Sequence, residues 1–217
     1  MPGALSVIAV AEKNNLFNAP ETYMNKIAVG NVEEGTVDLD YTIKKNISNL
    51  ADARNKDITK ITACILDRPR HKKIIDELER LKVNIKLITD GDVAGALLVS
   101  NSKHNIDIYL GIGGGPEGVL AASALDTLEC QFQGRFIFEK ENDILRAKKM
   151  GITELDRKYN IKDIVKGDSI FCATGITSGD IVKGINIEDD YYISETFITH
   201  KNTKTEKIHF QKNKINL

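Results

Sequence analysis

From about residue 36 the chain alternates short apolar runs with amphipathic helical patterns, and few folds tolerate that rhythm. Residues 61–66 (ITACIL) read as a buried strand, followed by Ile74, Ile75, Leu78 and Leu81 at helical spacing. Residues 83–88 (VNIKLI) then read as a strand and 93–99 as a helix. Residues 106–110 (IDIYL) give a third strand, and Pro116 opens a helix through Val119, Leu120 and Ala124, since a first turn tolerates proline. Ahead of these units, Asp38 or Asp40 is expected to cap a helix whose apolar face is Ile43, Ile47, Leu50 and Ala51. Behind them come a strand near 136–138, a charged helix over 139–150 and a strand over 169–173. Residues 191–210 alternate like an antiparallel hairpin turning near 201–203. The pattern predicts α/β layers around a largely parallel sheet, with the hairpin making a mixed edge.

The apolar start, residues 4–11 (ALSVIAVA), has no basic residue ahead of it and is too short to cross a bilayer. It is read as a buried strand. Such a strand needs neighbours on both sides, so a further segment upstream is expected. With 30 basic and 31 acidic residues, nothing points to nucleic acid or a membrane surface. The absence of tryptophan removes the usual stacking platforms for single strands. Cys64, Cys130 and Cys172 are scattered and odd in number, which fits buried free thiols in a reducing cytoplasm better than disulfides or a zinc site.

Three successive loops between a strand and a helix carry polar residues of different kinds, and such loops gather at the carboxyl edge of an open α/β sheet. In residues 67–71 (DRPRH), Arg68 and Arg70 flank a stiffening Pro69. Guanidinium groups match phosphate oxygens, and a helix start otherwise disfavours cations. In Asp90-Gly91-Asp92, two carboxylates can hold sugar hydroxyls or a hard cation, although a capped helix start explains either one alone. Residues 111–118 (GIGGGPEG) hold five glycines that let backbone amides approach an anion at a helix N-terminus. A carboxylate at Glu117 beside a phosphate calls for a divalent metal between them, although glutamate also suits a first helical turn. Gly113, Gly115 and Gly118 also satisfy the dinucleotide pattern, with Glu139 placed for a ribose. Pro116 and Glu117 argue against that NAD reading. Residues 173–180 (ATGITSGD) read as a turn and cap. The four histidines, His71, His104, His200 and His209, are expected to be solvated.

With these motifs the chain resembles the class II fructose-1,6-bisphosphatases, relatives of the lithium-sensitive phosphatases. The matching stretches are 16–24 (LFNAPETYM), Arg68-Pro69-Arg70-His71, 90–94 (DGDVA), 111–119, 173–180 and Glu195-Thr196. The resemblance implies a layered α-β-α-β-α sandwich of the sugar-phosphatase type, N-terminally truncated. Residues 1–35 would be the remnant of an N-terminal metal-binding domain and 36–217 a sugar-phosphate-binding domain. It implies metal-dependent hydrolysis of the 1-phosphate of fructose 1,6-bisphosphate with Mn²⁺ or Mg²⁺, a gluconeogenic step, in a cytoplasmic enzyme that assembles from identical chains. Tyr23, Arg68, Pro69, Arg70, Asp90, Gly91, Asp92 and Gly114 fall on the family's substrate-contacting positions, and Glu117 on a metal ligand. Arg68 stands where lysine is frequent. The resemblance places the catalytic residues and the other acidic ligands in a domain-sized stretch ahead of Met1. Glu34-Gly35-Thr36 repeats letters of that stretch but follows the Tyr23 motif, so it is not equated with it. A non-catalytic sugar-phosphate-binding fragment, or one subunit of an enzyme split with a separately encoded N-terminal piece, is the alternative.

Overall fold

The computed structural model describes residues 3–215; residues 1–2 and 216–217, the outermost of the two expected divisions, lie outside the described residues. Two strands open the chain, β1 (Leu5–Ala11) and β2 (Tyr23–Val29), followed by α1 (Ile43–Ala53). The alternating segment then gives β3 (Thr62–Leu66), α2 (Lys72–Arg80), β4 (Asn84–Ile88), α3 (Asp92–Leu97), β5 (Ile108–Gly114) and α4 (Gly115–Thr127). It continues with β6 (Gln131–Ile137), α5 (Glu141–Lys149), β7 (Lys158–Asn160) and α6 (Ile161–Ile164). The chain closes with β8 (Ser169–Gly175), β9 (Asn186–Glu188), β10 (Tyr191–His200) and β11 (Thr205–Lys214).

The strands form two sheets. One has six strands in the order β4-β3-β5-β2-β6-β7; the other has five, running β1-β8-β10-β11 with β9 beside β10. Only the pairings of β3 with β4 and with β5 are parallel; β2 runs antiparallel between β5 and β6, and β7 antiparallel to β6. The sheet is therefore mixed, not largely parallel, and the terminal hairpin belongs to the second sheet instead of edging the first. β2 escaped the pattern reading because Asn25 and Lys26 interrupt its apolar run, yet it occupies the centre of the sheet.

Side-chain alternation on β2 and β5 explains the layering. Ile27, Val29, Ile108 and Leu110 face one way and pack on Ile47, Leu50 and Leu78 of α1 and α2. Met24, Ala28 and Tyr109 face the other way, onto Val119, Ala122 and Leu125 of α4. Leu120 and Ala124 of α4 turn to Phe171, Ala173 and Leu5 in the second sheet. Helix α4 is thus buried on nearly every side of its middle, as the almost wholly apolar stretch Val119–Leu125 requires. Each fully buried isoleucine here is worth about 1.5–3 kcal/mol relative to exposure. The described residues form four layers, α-β-α-β, and the outer face of the second sheet carries no helix among them.

Local details correct three expectations. Helix α1 is capped by Thr42, whose hydroxyl accepts the Lys45 N–H at 3.2 Å; Asp38 and Asp40 instead hold Lys158, with 2.6 Å from its Nζ to Asp40. β1 is an edge strand buried on one face only, with Ile8 and Val10 turned outward. His71 is fully buried. The cysteines are free, as expected; Cys64 and Cys130 are buried, Cys172 is half-buried, and burial pushes the Cys64 and Cys130 thiols up to about 12.

Candidate active site

The parallel strands β3, β4 and β5 end side by side, so the loops that follow them share one rim of the sheet. A cavity of about 440 Å³ opens there, walled on its far side by Leu5 and Val7 of β1. Arg70, Asp90, Gly91, Asp92, Gly114 and Glu117 all line it. Residues from the turns after β3 and β4 and from the junction of β5 with α4 therefore meet at one cavity.

The first loop is pinned from below. His71 accepts the Ile112 N–H at its Nε2, 2.8 Å away, which leaves Nδ1–H to donate to the Leu66 carbonyl at 2.7 Å. The ring is neutral in that arrangement, and burial holds it below the ordinary histidine range. This clamp fixes Arg70, whose Nε donates to the Ile112 carbonyl at 2.8 Å and whose guanidinium lies 5.0 Å from the Tyr23 ring centroid. Arg68 sits at the start of the same turn, ahead of Pro69, with Nη2 3.9 Å from Asp90. Tyr23, Arg68 and Pro69 do not line this cavity; Tyr23 borders an adjoining one of about 540 Å³, which shares Gly114 and Glu117 with it.

The second loop turns at Gly91, whose φ of 81° only glycine adopts without strain. Asp90 remains exposed, and its carboxylate accepts the Gly91 N–H at 2.8 Å. Asp92 turns inward, with 10% of its side chain exposed, and pairs with the ammonium of Lys26. Lys26 itself is 1% exposed, and its Nζ also donates to the Gly114 carbonyl at 2.6 Å. Burial pulls the lysine below its ordinary range, while Asp92 opposes that shift.

The third loop is not a loop. Residues 111–114 complete β5 and Gly115 begins α4. Two of its glycines serve close approach instead of an amide nest: a Cβ on Gly113 would strike the Asp92 carboxylate, and one on Gly114 would strike that of Glu117. The dinucleotide spacing is likewise put to other use, because Met24 and Lys26 fill the space a Gly118 side chain would need, and β2 separates β5 from β6.

Lys26 and His71 are the polar residues the sequence reading missed. A lysine within an apolar strand, opposite Gly111 on one side and Gly134 on the other, was the available signal for the first. No comparable signal marked His71. Of residues 173–180, Gly179 and Asp180 border a neighbouring cavity of about 280 Å³ that Asp90 shares; Lys86 donates to Asp180 at 2.6 Å, and Glu195 accepts the Lys183 N–H at 2.9 Å.

A divalent cation fits poorly on what is described. Among the described residues no group of three or more His, Cys, Asp or Glu side chains could hold a metal. Glu117 offers one carboxylate, and Asp92 is engaged by Lys26.

Comparison with known proteins bears on this geometry. The family described as bacterial fructose-1,6-bisphosphatase, glpX-encoded, matches residues 1–212. The class 2 fructose-1,6-bisphosphatase 1 of Escherichia coli (strain K12) is 35% identical over 225 residues, covering 95% of this chain and 67% of that protein. The class 2 D-fructose 1,6-bisphosphatase/sedoheptulose 1,7-bisphosphatase of Microcystis aeruginosa is 33% identical over 218 residues, covering 94% of this chain and 63% of the relative. The protein of the same description from Synechocystis is 36% identical over 196 residues, covering 84% and 57%. The chain thus spans between 57% and 67% of the length of these relatives.

Proposed function

The chain belongs to the bacterial, glpX-encoded fructose-1,6-bisphosphatase family, and from that membership we propose that it carries the substrate-recognising side of an enzyme that hydrolyses the 1-phosphate of fructose 1,6-bisphosphate. One observation carries the proposal: Arg70, Asp90, Asp92, Gly114 and Glu117 line a single cavity at the carboxyl ends of β3, β4 and β5. In this reading Arg70 grips a phosphate in the bidentate manner open to guanidinium, with Arg68 as the second cation of the rim. Tyr23, stacked under Arg70, hydrogen-bonds the substrate, and the Asp90–Asp92 turn, hinged at Gly91, faces the sugar hydroxyls. Pro69 keeps the arginine turn short.

Glu117 would be one oxygen ligand of Mn²⁺ or Mg²⁺, cations that polarise phosphoryl oxygens. One carboxylate is too few for either ion, so the described residues do not fit the metal by themselves. That shortfall favours a second form of the proposal: the chain binds sugar phosphate and becomes catalytic only with a further piece that supplies the remaining ligands. The free thiols fit a cytoplasmic setting, and no helix among the described residues is long and apolar enough to cross a membrane.

Calorimetric titration of fructose 1,6-bisphosphate into the chain tests the proposal. Binding is expected, and it should weaken in Arg70→Ala. A heat of binding that survives that change unaltered refutes the assignment. Phosphate release with Mn²⁺ separates the two forms, since turnover by the chain alone would exclude the one that requires another piece.

A further inference from the structure

Lys26 lines neither cavity, yet every bond of its ammonium goes to a residue of the site. Its strand neighbours are Gly111 and Gly134, over which Tyr109 and Met24 fold, and the glycines that open a channel for the lysine are Gly113 and Gly118. The side chain runs along that channel beneath Gly118, whose added Cβ would lie 3.2 Å from Cε, and ends below Gly113, whose added Cβ would lie 3.3 Å from Nζ. There it donates to Asp92, on the second loop, and to the carbonyl of Gly114, at the junction of β5 and α4. Gly114 is also the residue against whose Cα the Glu117 carboxylate is folded. A buried ion pair is seldom the most stable filling for such a channel, because an apolar side chain avoids the desolvation cost. The ammonium joins two loops that the sheet alone leaves independent.

We propose that Lys26 is a positioning residue of the sugar-phosphate site, holding the Asp92 carboxylate and the Gly114 turn, and with it Glu117, in the arrangement that receives substrate. The inference rests on the functional reading above and adds a residue to it. An ammonium is specifically required. Methionine fills the channel without the charge, and arginine brings a planar head too broad for the space between Gly113 and Gly118.

The test is calorimetric titration of fructose 1,6-bisphosphate into the full chain and its Lys26→Met, Lys26→Arg, Asp92→Asn and Lys26→Met/Asp92→Asn variants, with Lys72→Met, an exposed lysine, as control. Lys26→Met is expected to weaken binding by about ten- to a hundredfold, the range typical of partners that orient a binding group. Lys26→Arg should give no rescue. The double variant, which leaves no unpaired buried charge, should fold and bind no worse than Asp92→Asn. A Lys26→Met chain that melts earlier but binds with undiminished affinity would show a merely structural lysine and overturn the inference. Should the parent chain bind no bisphosphate, the functional reading fails on its own. The inference is then decided by a crystal structure of Lys26→Met: displaced Asp92 and Gly114 groups sustain it, and unmoved ones overturn it.

Discussion

Among the described residues, the six-stranded sheet is covered on both faces by helices, whereas the five-stranded sheet is covered on one. Ile27, Ile65 and Ile108 of the first are buried. In the second, Ile8 is 56% exposed and Val10 51%, and the register aligns Ile8 with Cys172 and Ile198, and Val10 with Ile170, on one outward face. β1 is as apolar as the strands of the first sheet, so its composition alone does not separate it from them, whereas β11 is mostly polar. What differs is the cover. Beside the doubly covered sheet, the buried Lys26 and His71 are satisfied by the Asp92 carboxylate and by the Gly114 and Leu66 carbonyls, while the second sheet buries Glu195 of β10. The carboxyl rim of the first sheet becomes the polar site. Among the described residues the singly covered sheet keeps an apolar strip beside the β1 edge.

The contrast can be broken by experiment. The largest effect is expected for Ile27→Ala, which should cost about 2–5 kcal/mol in urea unfolding, while Ile8→Ala should stay within about 0.5 kcal/mol. Comparable losses at both positions would mean that the outer face is covered in solution. Next, Arg70→Ala should weaken bisphosphate binding by about 1.5–3 kcal/mol, the worth of a hydrogen bond to a charged group, with the unfolding midpoint nearly unchanged.

A smaller effect belongs to His71. Burial lowers its folded-state pKa, so the unfolded chain takes up a proton more readily than the folded one. The stability it contributes is full above the ordinary histidine pKa of about 6.5 and is lost as pH falls below it, by at most about 1.4 kcal/mol per pH unit. His104, also lowered by burial, acts in the same direction. In His71→Gln the slope of stability against pH below about 6.5 should be shallower, and an unchanged slope would remove the clamp as its cause. The smallest change in stability is expected for Ile8→Lys/Val10→Glu, whose readout is association. Light scattering should find smaller particles than the parent gives at equal concentration, with a melting point shifted by no more than a few degrees.

Much of the fold was legible. Ile47 and Leu50 mark the inner face of α1, and the apolar runs before Arg68, Asp90 and Gly111 mark three strands, because a period of 3.6 reflects one covered helix face and an unbroken run a strand covered on both faces. The loops after those strands pointed to the site for the same reason, since parallel strands bring their carboxyl ends together. The misreadings share a different cause. Asp38 and Asp40 looked like helix caps, but Lys158, more than a hundred residues away, claims them. Glycines 113 and 114 looked like an anion loop, but the carboxylates of Asp92 and Glu117 occupy the space they leave.

By itself, then, the sequence determined the α/β rhythm, the family, and the arginine, aspartate and glutamate set that meets at one rim. Only the tertiary structure decided that β2 lies at the centre of a mixed sheet, that His71 and Lys26 are buried, and that Ile8 and Val10 of the second sheet turn outward. Local patterns report the environment a residue's immediate neighbours impose, whereas burial of a charge depends on which distant strand brings its partner within 3 Å of it.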